Sequence, residues 1–141
     1  MYEYKCKIVR IVDGDTVDVD IDLGFGVWMR NQRIRMYGID TPESRTSDKV
    51  EKIYGKAATE FLTKWTNAGE LTLKTFKDDR GKFGRILGEL WYGREHNINQ
   101  LLVDNHHAVR YHGQSKDEIK EEHLANREKL HLHTVKNALD Y

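Results

Sequence analysis

Apolar and polar residues alternate in several short segments of the chain, and a period of two predicts β-strands. The clearest segment runs from Val17 to Leu23, where apolar residues alternate with Asp18, Asp20 and Asp22. We expect its apolar side chains to face the core and its aspartates to form a solvated face. The pattern predicts five strands: Tyr2–Val12, Thr16–Leu23, Met29–Ile39, Leu71–Phe76 and Phe83–Trp91.

Between the third and fourth strands the apolar period becomes helical. Apolar residues recur every three or four positions from Val50 to Trp65, and the polar and glycine-containing segment 67–69 follows them. This pattern predicts an amphipathic helix with one buried face. We interpret its apolar stripe as core packing.

Two further helices are predicted in the last third of the chain. Asn97 is a suitable N-cap for a short helix. Ser115 and Glu118 form a capping box that begins a longer helix, which we expect to end near Leu130. Because the apolar face of this last helix is thin, we expect it to pack only partly on the rest of the protein.

This order of elements is typical of an OB-fold, in which a five-stranded barrel presents an open face and loops to nucleic acid. The sequence therefore predicts a mixed α+β, mainly β fold. Its assignment as a five-stranded OB-fold barrel with three helices rests mainly on a family resemblance that three short motifs carry. We expect one domain over residues 1–133 and a C-terminal tail over 134–141. The glycine-punctuated segment 23–28 carries Phe25 and Trp28, which we expect to pack beneath the barrel rather than to meet a base.

Composition narrows the function classes. The 141 residues contain 23 basic and 23 acidic side chains, so net charge is zero and any contact with nucleic acid is expected to be local. Cys6 is the single cysteine, which excludes an internal disulfide and indicates a reduced structural thiol. No apolar run reaches membrane-spanning length. With a strand predicted near Met1, we expect a cytoplasmic protein; a mature secreted form is the alternative.

Candidate chemistry begins where an apolar run ends at a proline. Arg35 lies within the run Ile34–Ile39, and Asp40 and Glu43 flank the Thr41-Pro42 turn. A charged residue inside an apolar strand is costly unless something pairs with it. Carboxylates beside an arginine suggest a site for a metal ion and an anion.

Two other segments share this character. One is the turn Asp13-Gly14-Asp15-Thr16, and the other is 78–87, which contains Lys82-Phe83-Gly84-Arg85. Together the three segments resemble the staphylococcal (micrococcal) nuclease family, whose motifs are an Asp-Gly-Asp-Thr turn, an Arg…Asp-Thr-Pro-Glu strand end and a Lys-aromatic-Gly-Arg hairpin. They occur in the family's order, and the resemblance extends from about Lys5 to about Leu132.

The resemblance implies a metal site. It assigns Asp15, Asp40 and the backbone carbonyl of Thr41 as hard oxygen ligands of one Ca²⁺ ion, with Mg²⁺ or Mn²⁺ as alternatives. Each residue alone has a simpler interpretation, in which the aspartates only form a turn or cap a strand. We expect His123 to pack on the barrel and to have no metal-binding role.

The resemblance also implies an activity, which is the calcium-dependent hydrolysis of DNA and RNA to 3′-phosphate products. Glu43 is the expected general base, and Arg35 and Arg85 are expected to stabilise the phosphate and the transition state. The acid that protonates the leaving group stays open.

The residues expected to contact substrate match the family's pattern less closely than the expected catalytic residues do. Lys82 keeps the family's lysine, whereas Phe83 replaces the commoner tyrosine and so lacks its hydroxyl. Tyr111 is a loose counterpart of the family's base-stacking tyrosines, and stacking of a base on it is left open. Base preference is therefore left open.

A catalytically silent module that binds nucleic acid or protein is the alternative function. Zero net charge favours it, whereas the presence of all five candidate acidic and arginine positions argues for activity. We expect a monomer that acts on DNA, RNA or both without contacting a membrane. An intracellular nuclease endangers its host, so we expect either inactivity at low free calcium or a phage or mobile-element origin.

Overall fold

The structure is a computed structural model that describes residues 2–76 and 85–132, with only the backbone of Arg85 described. The strands are β1 (Glu3–Asp13), β2 (Thr16–Gly24), β3 (Val27–Met36), β4 (Ile39–Asp40), β5 (Leu71–Phe76), β6 (Arg85–Tyr92), β7 (His96–Asn97) and β8 (Val109–Arg110). The helices are α1 (Lys49–Thr66), α2 (Ile98–Asp104) and α3 (Lys116–Leu130).

Five of these strands form a closed barrel. The main sheet has the order β3-β2-β1-β5-β6-β7, and a parallel pairing of β3 with β6 closes it. The short strands β4 and β8 pair separately as a two-stranded sheet. The predicted fold class, a mainly β barrel of five strands with three helices, is confirmed.

The core fills the barrel and continues beneath α1. Residues such as Val17, Ile34 and Leu73 are fully buried inside it, and α1 adds Ala58 and Leu62 from the helical stripe. The predicted core role of that stripe is confirmed. Cys6 is also part of this core, and its burial raises the pKa of its thiol to about 12.

The prediction that the aspartates of β2 face solvent and its apolar side chains face the core is partly wrong. Asp18 is buried, because Arg33 and Arg10 from the neighbouring strands cover its carboxylate at 2.9 and 3.0 Å. Leu23, which the alternation placed inward, is exposed. Long arginine side chains bury an outward aspartate that the strand period alone assigns to solvent.

The aromatic residues of segment 23–28 do not share one environment. Phe25 lies at the exposed tip of the β2–β3 hairpin, so the expectation that it packs beneath the barrel is wrong. Gly24, Phe25 and Gly26 all have positive φ, so they form the tight turn that joins β2 to β3. Trp28 lies within β3, and the cationic groups of Lys7 and Arg30 lie over its ring.

The predicted third strand is divided in two. Gly38 adopts a φ of 75°, so β3 ends at Met36 and the chain turns before β4 begins. The apolar run Ile34–Ile39 predicts that Tyr37 is buried in a strand, but Tyr37 is exposed at this turn. The strand does end at Asp40, as Pro42 led us to expect.

The two later helices are capped as the sequence indicates. The Asn97 side chain accepts a hydrogen bond from the Gln100 N–H, and the Ser115 side chain accepts one from the Glu118 N–H. No residue of α3 is buried, which agrees with its expected partial packing. None of the helices in the described ranges is long and apolar enough to cross a membrane.

Candidate functional site

A tight turn brings two distant parts of the chain to one rim of the barrel. Gly14 lies in the turn between β1 and β2, and a Cβ there would be 2.8 Å from the Ala58 Cβ and 3.0 Å from the Thr41 Oγ1. Such a Cβ would overlap these atoms, so glycine permits the approach. The turn therefore places Asp15 directly against the end of β4.

Asp15 is held from several sides. Its Oδ2 accepts a hydrogen bond from the Thr41 N–H at 3.1 Å, and its Oδ1 accepts one from the Thr16 hydroxyl at 3.0 Å. Burial raises the pKa of this carboxyl, and the nearby charge of Asp40 adds to the rise, while Arg35 opposes it. A positive charge close to Asp15 favours the ionised form of its carboxyl.

The guanidinium of Arg35 lies between the two carboxylates. Its Nη1 is 3.4 Å from the Asp15 Oδ2, and its Nη2 is 3.6 Å from the Asp40 Oδ1. Nη1 also donates a hydrogen bond to the Met36 carbonyl at 3.1 Å. The sequence predicted that these residues meet, and the structure brings them together.

The donor set at this rim fits a divalent cation. Two carboxylates lie close enough to repel each other, and Thr41 Oγ1 is buried without a hydrogen-bond partner in the described part of the chain. Within the same part, no group of three or more His, Cys, Asp or Glu side chains is arranged to hold a metal. A cation here would depend on Asp15, Asp40 and backbone oxygen, a set that suits hard ions such as Ca²⁺.

Asp40 has a partner that sequence reasoning missed. The His123 Nε2 lies 2.8 Å from the Asp40 Oδ2, across 83 residues of sequence. His123 belongs to α3, and its side chain is 13% exposed. No local pattern indicates this contact, because α3 reaches Asp40 only through its docking on the barrel.

Glu43 lies just beyond the carboxylate pair and is exposed. Its backbone N–H donates a hydrogen bond to the Glu51 Oε2 at 3.1 Å. The next residue, Ser44, donates from both its N–H and its hydroxyl to the Asp13 Oδ1, at 3.1 and 2.7 Å. Helix α1 and the Asp13 turn thus hold the backbone that carries Glu43.

The structure describes little of the predicted hairpin that carries Arg85. Lys82 and Phe83 lie outside the described residues, and so does the side chain of Arg85. The backbone of Arg85 pairs in register with Arg33, while Leu87 pairs with Arg35. Arg85 is therefore two residues along β6 from the position opposite Arg35.

An exposed aromatic ring, that of Tyr37, lies at the turn that follows β3. Tyr37 stacks on Phe76 with ring centroids 4.1 Å apart and planes 8° apart, and Tyr37 is 44% exposed. The backbone N–H of Tyr111 donates a hydrogen bond to the Gly38 carbonyl at 2.8 Å, which brings the predicted stacking residue to the same turn. The sequence identified Tyr111 but not the Tyr37–Phe76 pair.

A buried amide from α2 fixes this end of β3. The Asn99 Nδ2 donates to the carbonyls of Tyr37 and Gly88 at 3.0 and 3.1 Å. Its Oδ1 accepts from the Leu90 N–H at 3.1 Å. Asn99 therefore joins the end of β3 to the interior of β6, the two strands that carry the candidate arginines.

Comparisons with known proteins point to one family. A family model described as staphylococcal nuclease homologue matches residues 33–132. The thermonuclease of Staphylococcus hyicus is 33% identical over 93 residues, which cover 66% of this chain and 52% of that protein. The micrococcal nuclease of Shigella flexneri is 29% identical, with 96% of this chain and 77% of that protein covered.

Other relatives are much longer than the matching region. The endonuclease YhcR of Bacillus subtilis is 28% identical over 77% of this chain, which corresponds to 9% of that protein. The chain spans about half the length of the first thermonucleases it matches.

Proposed function

Because this chain belongs to the staphylococcal nuclease homologue family, we propose that it is a calcium-dependent nuclease that hydrolyses phosphodiester bonds of DNA and RNA to 3′-phosphate products. The observation that carries this proposal is the convergence of Asp15, Arg35 and Asp40 at one rim of the barrel. A purely structural turn would not require an arginine between a buried carboxylate, Asp15, and a partly exposed one, Asp40. An anionic substrate and a cation would both be attracted to this arrangement.

The proposed binding of the cation uses Asp15, Asp40 and the Thr41 carbonyl, with Mg²⁺ and Mn²⁺ as alternatives to Ca²⁺. A bound cation of this kind withdraws charge from a phosphoryl oxygen and makes the phosphorus easier to attack. The rise in the pKa of Asp15 by burial and by Asp40 supports the proposal, because a cation would relieve both effects.

Arg35 and Arg85 are proposed to bind the non-bridging phosphate oxygens. A guanidinium presents parallel N–H donors that match phosphate geometry, and it stays charged at any working pH. Arg35 is already held at the rim by its bond to the Met36 carbonyl, so little ordering would be needed when substrate binds. Donors arranged in this way stabilise the charge that develops in the transition state.

Glu43 is the proposed general base, which accepts a proton from the attacking water. Its exposure beside the carboxylate pair supports this role, because water reaches it without a conformational change. Its backbone is held by Glu51 and, through Ser44, by Asp13. The base is therefore carried on a segment with a defined position.

Substrate contacts are proposed for Lys82, Phe83 and Tyr111, as the family resemblance implies. The Tyr37–Phe76 stack adds an exposed aromatic surface at the same turn, and nucleobases stack on such surfaces without strong sequence preference. These groups favour an unpaired strand over an intact duplex, because a paired base does not expose its face.

Digestion assays test the proposal. Plasmid DNA and RNA are incubated with the protein and Ca²⁺, Mg²⁺ or EDTA, and the ends of the products are analysed. We expect cleavage with Ca²⁺, none with EDTA, and losses of about 10²–10³ in turnover for Arg85→Ala. Glu43→Ala should lose activity as well. Glu60→Ala and Arg94→Ala, which remove exposed charges outside this rim, serve as matched controls.

Two results contradict the proposal. Cleavage that continues in EDTA overturns the requirement for a cation. Binding of single-stranded DNA without cleavage under any ion, by a protein with a native circular dichroism spectrum, identifies a catalytically silent binding module instead.

A further inference from the structure

In the part of the chain that the structure describes, helix α3 contacts the cation site through the side chain of His123. The His123 Nε2 lies 2.8 Å from the Asp40 Oδ2, and the two side chains are 13% and 31% exposed. Asp40 itself is fixed at its backbone, since β4 pairs Asp40 with Val109 of β8. The carboxylate can still rotate about its side-chain bonds, and the imidazole at 2.8 Å limits this rotation more closely than the Arg35 guanidinium at 3.6 Å.

The environment of the ring indicates which nitrogen carries the proton. His123 Nδ1 is buried and has no hydrogen-bond partner among the described residues. Leaving an N–H donor without an acceptor is rarer in buried sites than leaving an acceptor without a donor. The arrangement therefore favours the tautomer in which Nε2–H donates to Asp40 and Nδ1 holds only its lone pair.

Because of this bond, the two carboxylate oxygens of Asp40 have different partners. Oδ2 accepts from His123, whereas Oδ1 faces Arg35 at 3.6 Å, which is too long for a good hydrogen bond. Oδ1 is consequently the oxygen that remains available to a cation beside Asp15. Partners of this kind orient metal-binding carboxylates, and their loss typically costs about 10–100-fold in metal affinity.

The contacts that dock α3 include hydrogen bonds and the Arg127 guanidinium, which lies over the Tyr54 ring at 5.4 Å from its centroid. None of its fifteen residues is buried. Besides the bond from His123, the Asn126 Nδ2 donates to the Ala108 carbonyl at 3.2 Å, and the Tyr54 hydroxyl donates to the Arg127 carbonyl at 3.4 Å. With little apolar burial, such polar contacts decide whether the helix stays in place.

We propose that His123 is a positioning residue, which holds the Asp40 carboxylate in the orientation needed by a divalent cation and links cation binding to the docking of α3. This inference rests on the cation site of the proposed function. The link is reciprocal, because an interaction that favours the docked, cation-bound state must stabilise both parts of it.

Calcium affinity, measured by isothermal titration calorimetry without substrate, tests the orientation. His123→Phe keeps a ring of similar shape and removes the donor, and we expect it to weaken Ca²⁺ binding by about 10–100-fold. His123→Gln retains an N–H donor and should recover most of that loss. Asn126→Ala is the matched control, because it removes an α3 contact that does not involve Asp40; it should lower the Tm and, through the weaker docking of α3 alone, reduce the Ca²⁺ affinity much less than His123→Phe does.

Hydrogen exchange tests the link on the unaltered protein. We expect saturating Ca²⁺ to slow amide exchange in α3, and we expect His123→Phe to abolish this slowing. Equal Ca²⁺ affinity in the wild type and His123→Phe overturns the inference. So does a loss of Ca²⁺ affinity in Asn126→Ala that equals the loss in His123→Phe. Amide exchange in α3 that is the same with and without Ca²⁺ overturns it as well. A wild-type protein that binds no divalent cation refutes the proposed cation site instead, and the inference with it.

Discussion

Gly55 of α1 lies against the backbone carbonyl of Glu43, and a Cβ at residue 55 would be 2.2 Å from that oxygen. In most helices alanine is more stable than glycine by about 1 kcal/mol. Here the contact reverses this preference, because the helix would have to move away from the segment that carries the proposed general base. The close approach therefore ties the position of α1 to the geometry of the site.

Gly55→Ala is accordingly expected to destabilise the protein by about 1–3 kcal/mol, as overpacked sites do, and to lower turnover by displacing Glu43. Urea unfolding and the digestion assay measure the two effects. Glu60→Ala, on the exposed face of the same helix, should change neither. A Gly55→Ala protein that is more stable than the wild type would contradict this expectation and show that the Glu43 segment can move to accommodate the added methyl group.

Asn99→Asp keeps the shape of the side chain and replaces the Nδ2 donor with an oxygen. That oxygen would face the carbonyls of Tyr37 and Gly88, which would lose their shared donor. We expect a loss of about 1–3 kcal/mol in the free energy of unfolding, measured in urea.

The matched control for Asn99→Asp is Asn105→Asp. The Asn105 Nδ2 donates to the Leu101 carbonyl at 2.8 Å, but at an exposed position where water replaces the bond. Equal losses of stability in the two variants would contradict a special role for the buried amide.

Asp18 should make stability depend on pH. Hydrogen bonding and charge from Arg33, aided by Arg10, lower the pKa of its carboxyl below the ordinary 3.8. A lowered pKa in the folded state means that the carboxylate contributes stability above pH of about 4, which is lost as pH falls through the lower, folded-state value. Asp18→Asn should therefore have a lower Tm than the wild type at pH 7.

The gap in Tm between wild type and Asp18→Asn should narrow as the pH is lowered below about 4. Thermal unfolding followed by circular dichroism at several pH values measures this gap. Asp22→Asn is a suitable comparison, because the Asp22 carboxylate accepts its bond from the Gly24 N–H at an exposed position. A gap for Asp18→Asn that is the same at pH 3 and pH 7 would contradict the assignment.

Tyr37→Ala tests the aromatic surface at the turn that follows β3. If a base stacks on the Tyr37–Phe76 pair, the variant should bind a single-stranded oligonucleotide about 1–3 kcal/mol more weakly. Tyr37→Phe keeps the ring and should bind as the wild type does. Fluorescence anisotropy with a labelled oligonucleotide measures both, and unchanged binding by Tyr37→Ala would assign the stack to structure alone.

The sequence by itself determined the elements that depend on local pattern. The periods of two and 3.6 predicted the barrel strands and α1, and Asn97 and Ser115 marked the starts of α2 and α3. It also identified Asp15, Arg35 and Asp40 as one site, because three short motifs matched one family. These signals are readable because each one lies within a few consecutive residues.

Only the tertiary structure decided what lies between these elements. Asp18 is buried by arginines of two neighbouring strands, Tyr37 is exposed by a turn at Gly38, and His123 meets Asp40 across 83 residues. Such contacts depend on strand register, on the closure of the barrel and on how α3 docks. The local hydrophobic pattern does not predict strand register, barrel closure or helix docking, because each depends on packing between parts of the chain that are far apart in sequence.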